Sequence, residues 1–245
     1  MDIDLEINAS HDAQRLARRF HSQGTLRIEN FLQPACAAML YTVMVKNVRW
    51  RTLVLSQQQL LGTPLYEAGA SSFDHDPEAI ALANSSARSG QAALYDVDRL
   101  YPEDEVVPAS AAASDEGLGP FELRISNRLL ELIRIVSAEP LFQQIAVQAN
   151  RFRPGHFEMF HSGTWSADKT GKRRATFILN LTPEWRPDWG GLLQYRSRDA
   201  ACIRGWMPTF NSLDLITFPR GWWVSAVSTI AQGARLSLNG RLYSH

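Results

Sequence analysis

Apolar residues recur with two different periods along this chain, and the period changes near its middle. In the first half they return at helical spacing. Leu16, Ala17 and Phe20 mark one face of a helix over Ala13 to His21, which Gly24 is placed to end. Pro34 occupies a first-turn position ahead of an apolar helix continuing from Ala35 to Val45. Phe121 to Val136 carries Leu123, Ile125, Leu129, Leu130, Ile133 and Ile135 on a broad apolar face and is read as helix, with a further short turn from Leu141 to Ile145. Between these lie an alternating segment, Thr25 to Glu29, read as a strand, and two stretches without strong periodicity. Residues 66–90 read as a loop or irregular helix pair, and the small, polar run from Ala109 to Gly119 reads as a connector.

From Ala146 the period shortens. Asn150 to His161 reads as two short strands hinged at Pro154-Gly155. Thr176–Leu181, Leu192–Tyr195, Leu213–Phe218, Val224–Ser228 and Leu236–Leu238 follow as short strands, most bounded by Gly, Pro, Asn or Asp. Helices first and many short strands later predict an α+β protein: a β-sandwich or barrel with helices packed on one side. The expected organisation is one domain over 1–245, with 1–145 as mainly helical support with some strands and 146–242 supplying the strands that carry the site.

Composition narrows the partners. The chain has 245 residues, enough for one well-buried core, and its 45% hydrophobic and 20% charged content is ordinary for a globular domain. Lys+Arg and Asp+Glu balance at 25 each, so no net field favours nucleic acid or an anionic membrane; neither is expected as a partner. The basic run Lys172-Arg173-Arg174 reads as a solvated loop. Cys36 and Cys202 lack metal-ligand spacing and are expected as free thiols in a reducing compartment. The acidic N-terminus has no apolar signal core, and no apolar run is long enough to span a bilayer, so the expected location is cytoplasmic.

Five blocks carry the chemistry: Gly155-His156-Phe157 leading to His161; Leu179-Asn180-Leu181-Thr182; Trp185 with Trp189-Gly190-Gly191; Asn211-Ser212-Leu213; and Arg235 with Ser237. In that order they resemble the prolyl 4-hydroxylase-like branch of the iron(II)/2-oxoglutarate oxygenases. The resemblance spans roughly residues 25–242 and is strongest over 146–240. It implies a double-stranded β-helix, the jelly-roll or cupin-like fold, with supporting N-terminal helices. It also implies a site in which two imidazoles and a carboxylate hold a ferrous ion, leaving open positions for a bidentate 2-oxo acid and dioxygen.

The ligand positions depart from the family. His161 matches the proximal histidine, but Gly163 stands where the carboxylate belongs. Aligning Val224, Ser225 and Val227 with the family's block places Trp222 on the distal histidine, and an indole is donor only. The remaining histidines are His11, His21, His75, His156 and His245; odd spacing along a strand separates His156 from His161. Loss of the carboxylate alone would resemble the halogenases; loss of both ligands does not. The co-substrate end is better kept: Arg235 and Ser237 fall on one strand face and match the pair that clamps the distal carboxylate of 2-oxoglutarate. The strand position where relatives carry a tyrosine hydroxyl is read as Phe177, and the family's Gly-Trp reads Gly240-Arg241.

These departures imply an atypical or non-catalytic homologue without iron, holding 2-oxoglutarate or another carboxylate, with a small-molecule or protein ligand in the barrel cavity. It would act as a homodimer or by pairing with an active relative. The alternative is an active oxygenase or biosynthetic enzyme, using Fe(II) at His161 and Asp168 or metal-free chemistry in the same cavity. A conventional hydroxylase is the third reading. Each motif also has a plain reading: His161 as a hydrogen-bonded core or rim residue, Arg235 as partner of a buried carboxylate, Trp222-Trp223 as a hydrophobic plug with one ring in and one out. The Trp185 to Gly191 run reads as a structural turn and the His75 segment as a solvated loop.

Overall fold

The computed structural model describes residues 2–48, 50–55, 67–68, 77–88, 92–101, 107–108, 122–124, 127–138, 144–161, 173–196, 202–217 and 221–243. In chain order the elements are β1 (Asp2–Asp4), α1 (Ala13–Gln23), β2 (Thr25–Ile28), α2 (Pro34–Lys46), β3 (Arg51–Leu55), β4 (Glu67–Ala68), α3 (Pro77–Arg88) and β5 (Ala93–Tyr101). Then come β6 (Val107–Pro108), β7 (Glu122–Arg124), α4 (Asn127–Ser137), β8 (Gln144–Phe152), β9 (Phe157–His161) and β10 (Arg173–Asn180). A single 3-10 turn at Pro187–Trp189 precedes β11 (Leu193–Arg196), β12 (Ile203–Trp206), β13 (Ser212–Thr217), β14 (Trp222–Val224) and β15 (Arg235–Tyr243).

Strands β8, β15, β10 and β13 lie side by side in that order, and so do β12, β11, β14 and β9. All these pairings are antiparallel. Apart from the β11–β12 hairpin, successive strands from β8 to β15 thus alternate between two facing sheets, which is the winding of a double-stranded β-helix. Strand β5 joins the two: its first residues pair with β9 and the rest with β8. β2 extends the first sheet beyond β13, and β3 pairs with β5.

Each strand of the first sheet has two apolar faces to satisfy, and this produces two cores. Outward, Ala175, Phe177, Leu179, Leu213, Leu215, Leu236, Leu238 and Leu242 pack under the helices with Leu16, Phe20, Leu40, Met44, Leu129 and Ile133. Inward, between the sheets, Tyr95, Phe152, Ile178, Leu193, Tyr195, Ile216, Trp222 and Val224 form the second core. The helices hold the first sheet from behind. α1 starts where the Asp12 side chain accepts from the Arg15 backbone N–H at 3.0 Å and stops at Gly24, whose φ of 69° suits glycine; α1 packs on α4.

Several boundaries differ from the sequence expectation. The helix expected from Phe121 is a strand at Glu122–Arg124 and a helix only from Asn127. The turn of helix expected to reach Ile145 gives way to β8, which already begins at Gln144. Within the segment read as a loop or irregular helix pair, Pro77–Arg88 is helix. β5 was not expected as a strand, although Ala93, Tyr95 and Val97 alternate with Leu94 and Asp96. Its inward residues join the barrel core, so tertiary pairing decides what short-range polarity obscures. Among the described residues no helix is long and apolar enough to cross a membrane.

Candidate functional site

β15 positions the cationic end of the site. Period-2 alternation turns Leu236, Leu238 and Leu242 to the helical core and leaves Arg235, Ser237 and Asn239 on the inner face. Arg235 is 0% exposed, as is Ser237, and Asn239 is 5% exposed. The guanidinium lies 5.4 Å from the Phe152 ring centroid. Its Nη2 donates to Asn180 Oδ1 at 3.2 Å. Asn180 in turn donates from Nδ2 to Asp214 Oδ2 at 2.8 Å and to Ser212 Oγ at 3.3 Å. Asp214 receives Arg27 through a two-pronged contact, Nε to Oδ1 at 2.6 Å and Nη2 to Oδ2 at 2.7 Å. Arg235 is therefore held by an amide, not by a buried carboxylate; the carboxylate on this side is taken by Arg27.

Four buried polar atoms on this strand face have no hydrogen-bond partner among the described residues: Nε and Nη1 of Arg235, Oγ of Ser237 and Oδ1 of Asn239. Leaving such groups dry and unpaired is costly, so a cluster of them marks a place built to receive a polar ligand. Burial pushes the guanidinium down to about 10; Asp214 and then Glu158 act against that shift, and Arg27 reinforces it. It remains the cation of the cavity at neutral pH.

The other end of the site sits where β9 meets β14. His161 ends β9 and stands directly opposite Trp222 in the register, while Val224 stands opposite Glu158. Two residue steps along β14 thus span three along β9, so β9 carries a bulge between 158 and 161. The extra residue interrupts simple alternation along β9 between 158 and 161. Glu158, paired with Val224 on one side, is the residue that the sequence reading passed over. Glu158 is 6% exposed and pairs with Ala93 on its other side, a member of the inner core. Ser162, Gly163 and Asp168 lie outside the described residues.

Trp222 is 4% exposed and belongs to the inner core with Tyr95, Phe152 and Tyr195. Trp223 turns the other way, and its ring meets Phe160 edge-on at 5.4 Å. One ring in and one out is the arrangement expected of a plug. Phe177 is not on the cavity side: it sits in the helical core with its ring against Gly240, its register partner. The inward neighbour on that strand is Ile178, so the place facing the cavity is filled by an aliphatic side chain.

A second polar cluster lies behind β5 and β8. Asp96, 0% exposed, accepts from Thr52 Oγ1 at 2.9 Å, from Arg151 Nε at 2.7 Å and from Arg153 Nη2 at 3.2 Å. The neighbouring His156 is 6% exposed, and burial lowers its pKa to about 4, against the pull of Asp96 and with the push of Arg153. This cluster ties three strands together and faces away from the Arg235 cavity. The aromatic-glycine run is structural: Trp185 Nε1 donates to the Gly190 carbonyl at 2.9 Å, and Gly190 and Gly191 have φ of 66° and 63°. Cys36 is buried and Cys202 exposed, and neither forms a disulfide among the described residues. His75, His245 and Lys172 lie outside the described residues.

Sequence reasoning found Arg235, Ser237, Trp222 and His161 but not Asn180, Asp214, Glu158 or Asn239 as parts of the site. Asn180 stood inside a quoted block and Asp214 inside the strand read at Leu213–Phe218, and their inward parity relative to Ile178 and Ile216 was the available signal. Glu158 required its pairing with Ala93 and Val224.

Residues 147–243 match the model of the 2OG-Fe(II) oxygenase superfamily. No curated protein matches the chain in sequence. Among solved structures, a Pseudomonas putida prolyl-4-hydroxylase is similar over 96% of this chain and 100% of its own, at 14% identity and a TM-score of 0.57. A Burkholderia pseudomallei oxidoreductase of the 2OG-Fe(II) oxygenase family is similar over 100% and 96%, at 13% identity and a TM-score of 0.55. A Trichoplax adhaerens prolyl hydroxylase, solved with a hypoxia inducible factor peptide, is similar over 94% and 90%, at 12% identity and a TM-score of 0.56. Identities this low speak for the fold. Residues 147–243 carry the sequence pattern of the 2OG-Fe(II) oxygenase superfamily, within a fold of the prolyl 4-hydroxylase-like kind.

Proposed function

We propose that this chain is a carboxylate-binding member of the 2OG-Fe(II) oxygenase fold that does not assemble the family's iron triad. Its donor set does not fit a ferrous ion. Across the strand pair from His161 stands an indole, whose ring nitrogen donates a hydrogen bond and offers no lone pair to a metal, and Gly163 has no side-chain oxygen. One imidazole is too few for a stable site. Trp222 adds apolar area to the inner core instead.

The single observation that carries the reading is Arg235, fully buried on the inner face with two guanidinium nitrogens unpartnered among the described residues and the Ser237 hydroxyl beside it. A carboxylate accepts hydrogen bonds from both groups and offsets the buried charge. 2-Oxoglutarate and simpler carboxylates are the candidate ligands.

The test combines metal analysis of protein purified without chelator with calorimetric titration of pentanoate and 2-oxoglutarate into the wild type and Arg235→Met. Substoichiometric iron, and carboxylate binding that disappears in Arg235→Met, are expected. Stoichiometric iron held at micromolar affinity, with succinate released from 2-oxoglutarate and lost in His161→Ala, would restore the oxygenase reading.

A further inference from the structure

β12 ends the sheet, and its edge is open. Among the described residues it pairs only with β11, in the register Arg196 to Ile203, Tyr195 to Arg204, Gln194 to Gly205 and Leu193 to Trp206. In an antiparallel pair, successive residues turn their N–H and C=O alternately toward the partner and away from it, so half of these backbone groups face outward. No backbone hydrogen bond among the described residues takes up the outward groups of Ile203–Trp206. Ile203 is 61% exposed, and Arg204 and Gly205 are exposed too, the glycine through its backbone alone. The other end of the sheet differs. β2 is also terminal, but Thr25, Leu26 and Ile28 are each at most 3% exposed, so that edge is covered.

Edges of natural sheets are guarded by proline, by bulges or by charge. β12 contains no proline and pairs in unbroken register, so its guard is charge, and the charge has one sign. Arg204 lies on β12 and Arg196 on β11, and the sequences of β11, β12 and β14 hold no carboxylate. No ion pair among the described residues engages Arg204. Two copies joined edge to edge would bring their arginines together, which opposes self-pairing. The same charge draws in a strand that carries a carboxylate. We propose that β12 is a docking edge, to which an extended acidic peptide adds as a further strand.

The side chains of β12 specify the pattern of that strand. Ile203 and Gly205 share the outer face with their register partners Arg196 and Gln194. Arg204 and Trp206 share the opposite face with Tyr195 and Leu193, which belong to the inner core. The added strand therefore sets an apolar side chain against Ile203, a carboxylate against Arg204 and an aromatic ring over Gly205, where there is no Cβ. Parallel or antiparallel pairing only sets the direction in which apolar, acidic and aromatic residues follow one another. The edge is separate from Arg235 and does not depend on what that residue binds.

The test titrates the full chain, labelled with nitrogen-15, with a capped peptide of about eight residues centred on valine–glutamate–phenylalanine and with its lysine counterpart. Two further forms of the glutamate peptide carry N-methyl groups that block one backbone edge each. At low salt the glutamate peptide should bind about 3- to 10-fold tighter than the lysine peptide, the difference between an attractive and a repulsive cross-strand pair. Binding should slow exchange of the outward β12 amides. One N-methylated form should lose binding and the other keep it. In Arg204→Glu the lysine peptide should become the tighter ligand; Arg204 is exposed, and the wild-type series decides alone if that variant does not fold. Equal affinity for the two charges, amide changes away from β12, or no binding at millimolar peptide overturns the proposal. So does slowed exchange of the β12 amides that grows with protein concentration in the absence of peptide, because the occupant is then a second copy of the chain.

Discussion

The His156 imidazole gives the fold a defined weakness in mild acid. In an unfolded chain it protonates near its ordinary value of 6.5; in the folded protein burial holds it neutral down to about 4, with Arg153 adding to the effect against Asp96. Between those values the unfolded state binds the additional proton, so stability falls as pH falls. Integrating the two titrations gives a loss of about 2 kcal/mol between roughly pH 7 and pH 5, approaching about 3 kcal/mol near pH 4. Above the ordinary value the contribution is flat. Urea denaturation of the wild type and of His156→Gln at several pH values across this window measures it, urea being preferred because it leaves the Asp96 charges unscreened. The wild-type midpoint should fall steadily through the window, and His156→Gln should lose about 2 kcal/mol less over the same interval. If the two proteins lose stability in parallel, the acid sensitivity belongs to other groups and the account of His156 is wrong.

Two further variants probe the site. Asp214→Asn keeps the shape but breaks a buried two-pronged ion pair with Arg27, and it should destabilise the protein by about 3 kcal/mol in the same assay; a loss below about 1 kcal/mol would mean that water satisfies Arg27 just as well. Trp222→His combined with Gly163→Asp should create ferrous binding, visible as iron retained through gel filtration, because together they supply the missing imidazole and carboxylate next to His161. Neither substitution alone is expected to do so, and no retention by the folded double variant would show that the strand pair no longer holds these positions in ligating geometry.

Much of the frame could be read from the residues because local chemistry and tertiary role agree there. Asp12, Leu16, Phe20 and Gly24 each do in α1 what their types prescribe, and Pro154-Gly155 turns β8 into β9 with Gly155 at φ 85°. The inward placement of Trp222 and outward placement of Trp223 follow from simple alternation. Where alternation is interrupted, or its phase is unknown, sequence reading fails. Phe177 and Ile178 are both apolar, so which one faces the cavity depends on which face the helices cover, a fact that residues 173–180 do not contain. β15 was read as three residues and is nine long, because Arg235, Ser237, Asn239 and Arg241 break the apolar run on the very face that lines the site. Glu158 is the sharpest case. Only its pairing with Ala93 of β5 and Val224 of β14, both in the inner core, shows which face it takes.

On the metal-free reading proposed above, the polar groups of the barrel also explain what organises the fold in a cation's place. In a metal-centred site the cation orders its ligands and offsets their charge. Here that ordering is done by a covalently ordinary set of contacts: Arg27 to Asp214, Asp214 to Asn180, Asn180 to Arg235, joining β2, β13, β10 and β15 in sequence. Three of those four side chains are fully buried and the fourth nearly so, so their geometry is set by the protein alone. The chain of contacts stops one step short, at the free nitrogens of Arg235. A protein under no pressure to bind anything would gain by replacing Arg235 with an aliphatic residue, since an unpaired buried cation opposes folding by several kcal/mol while a leucine of similar volume favours it. Keeping the arginine, aligned from behind by Asn180 and open in front, makes sense if a ligand completes the set.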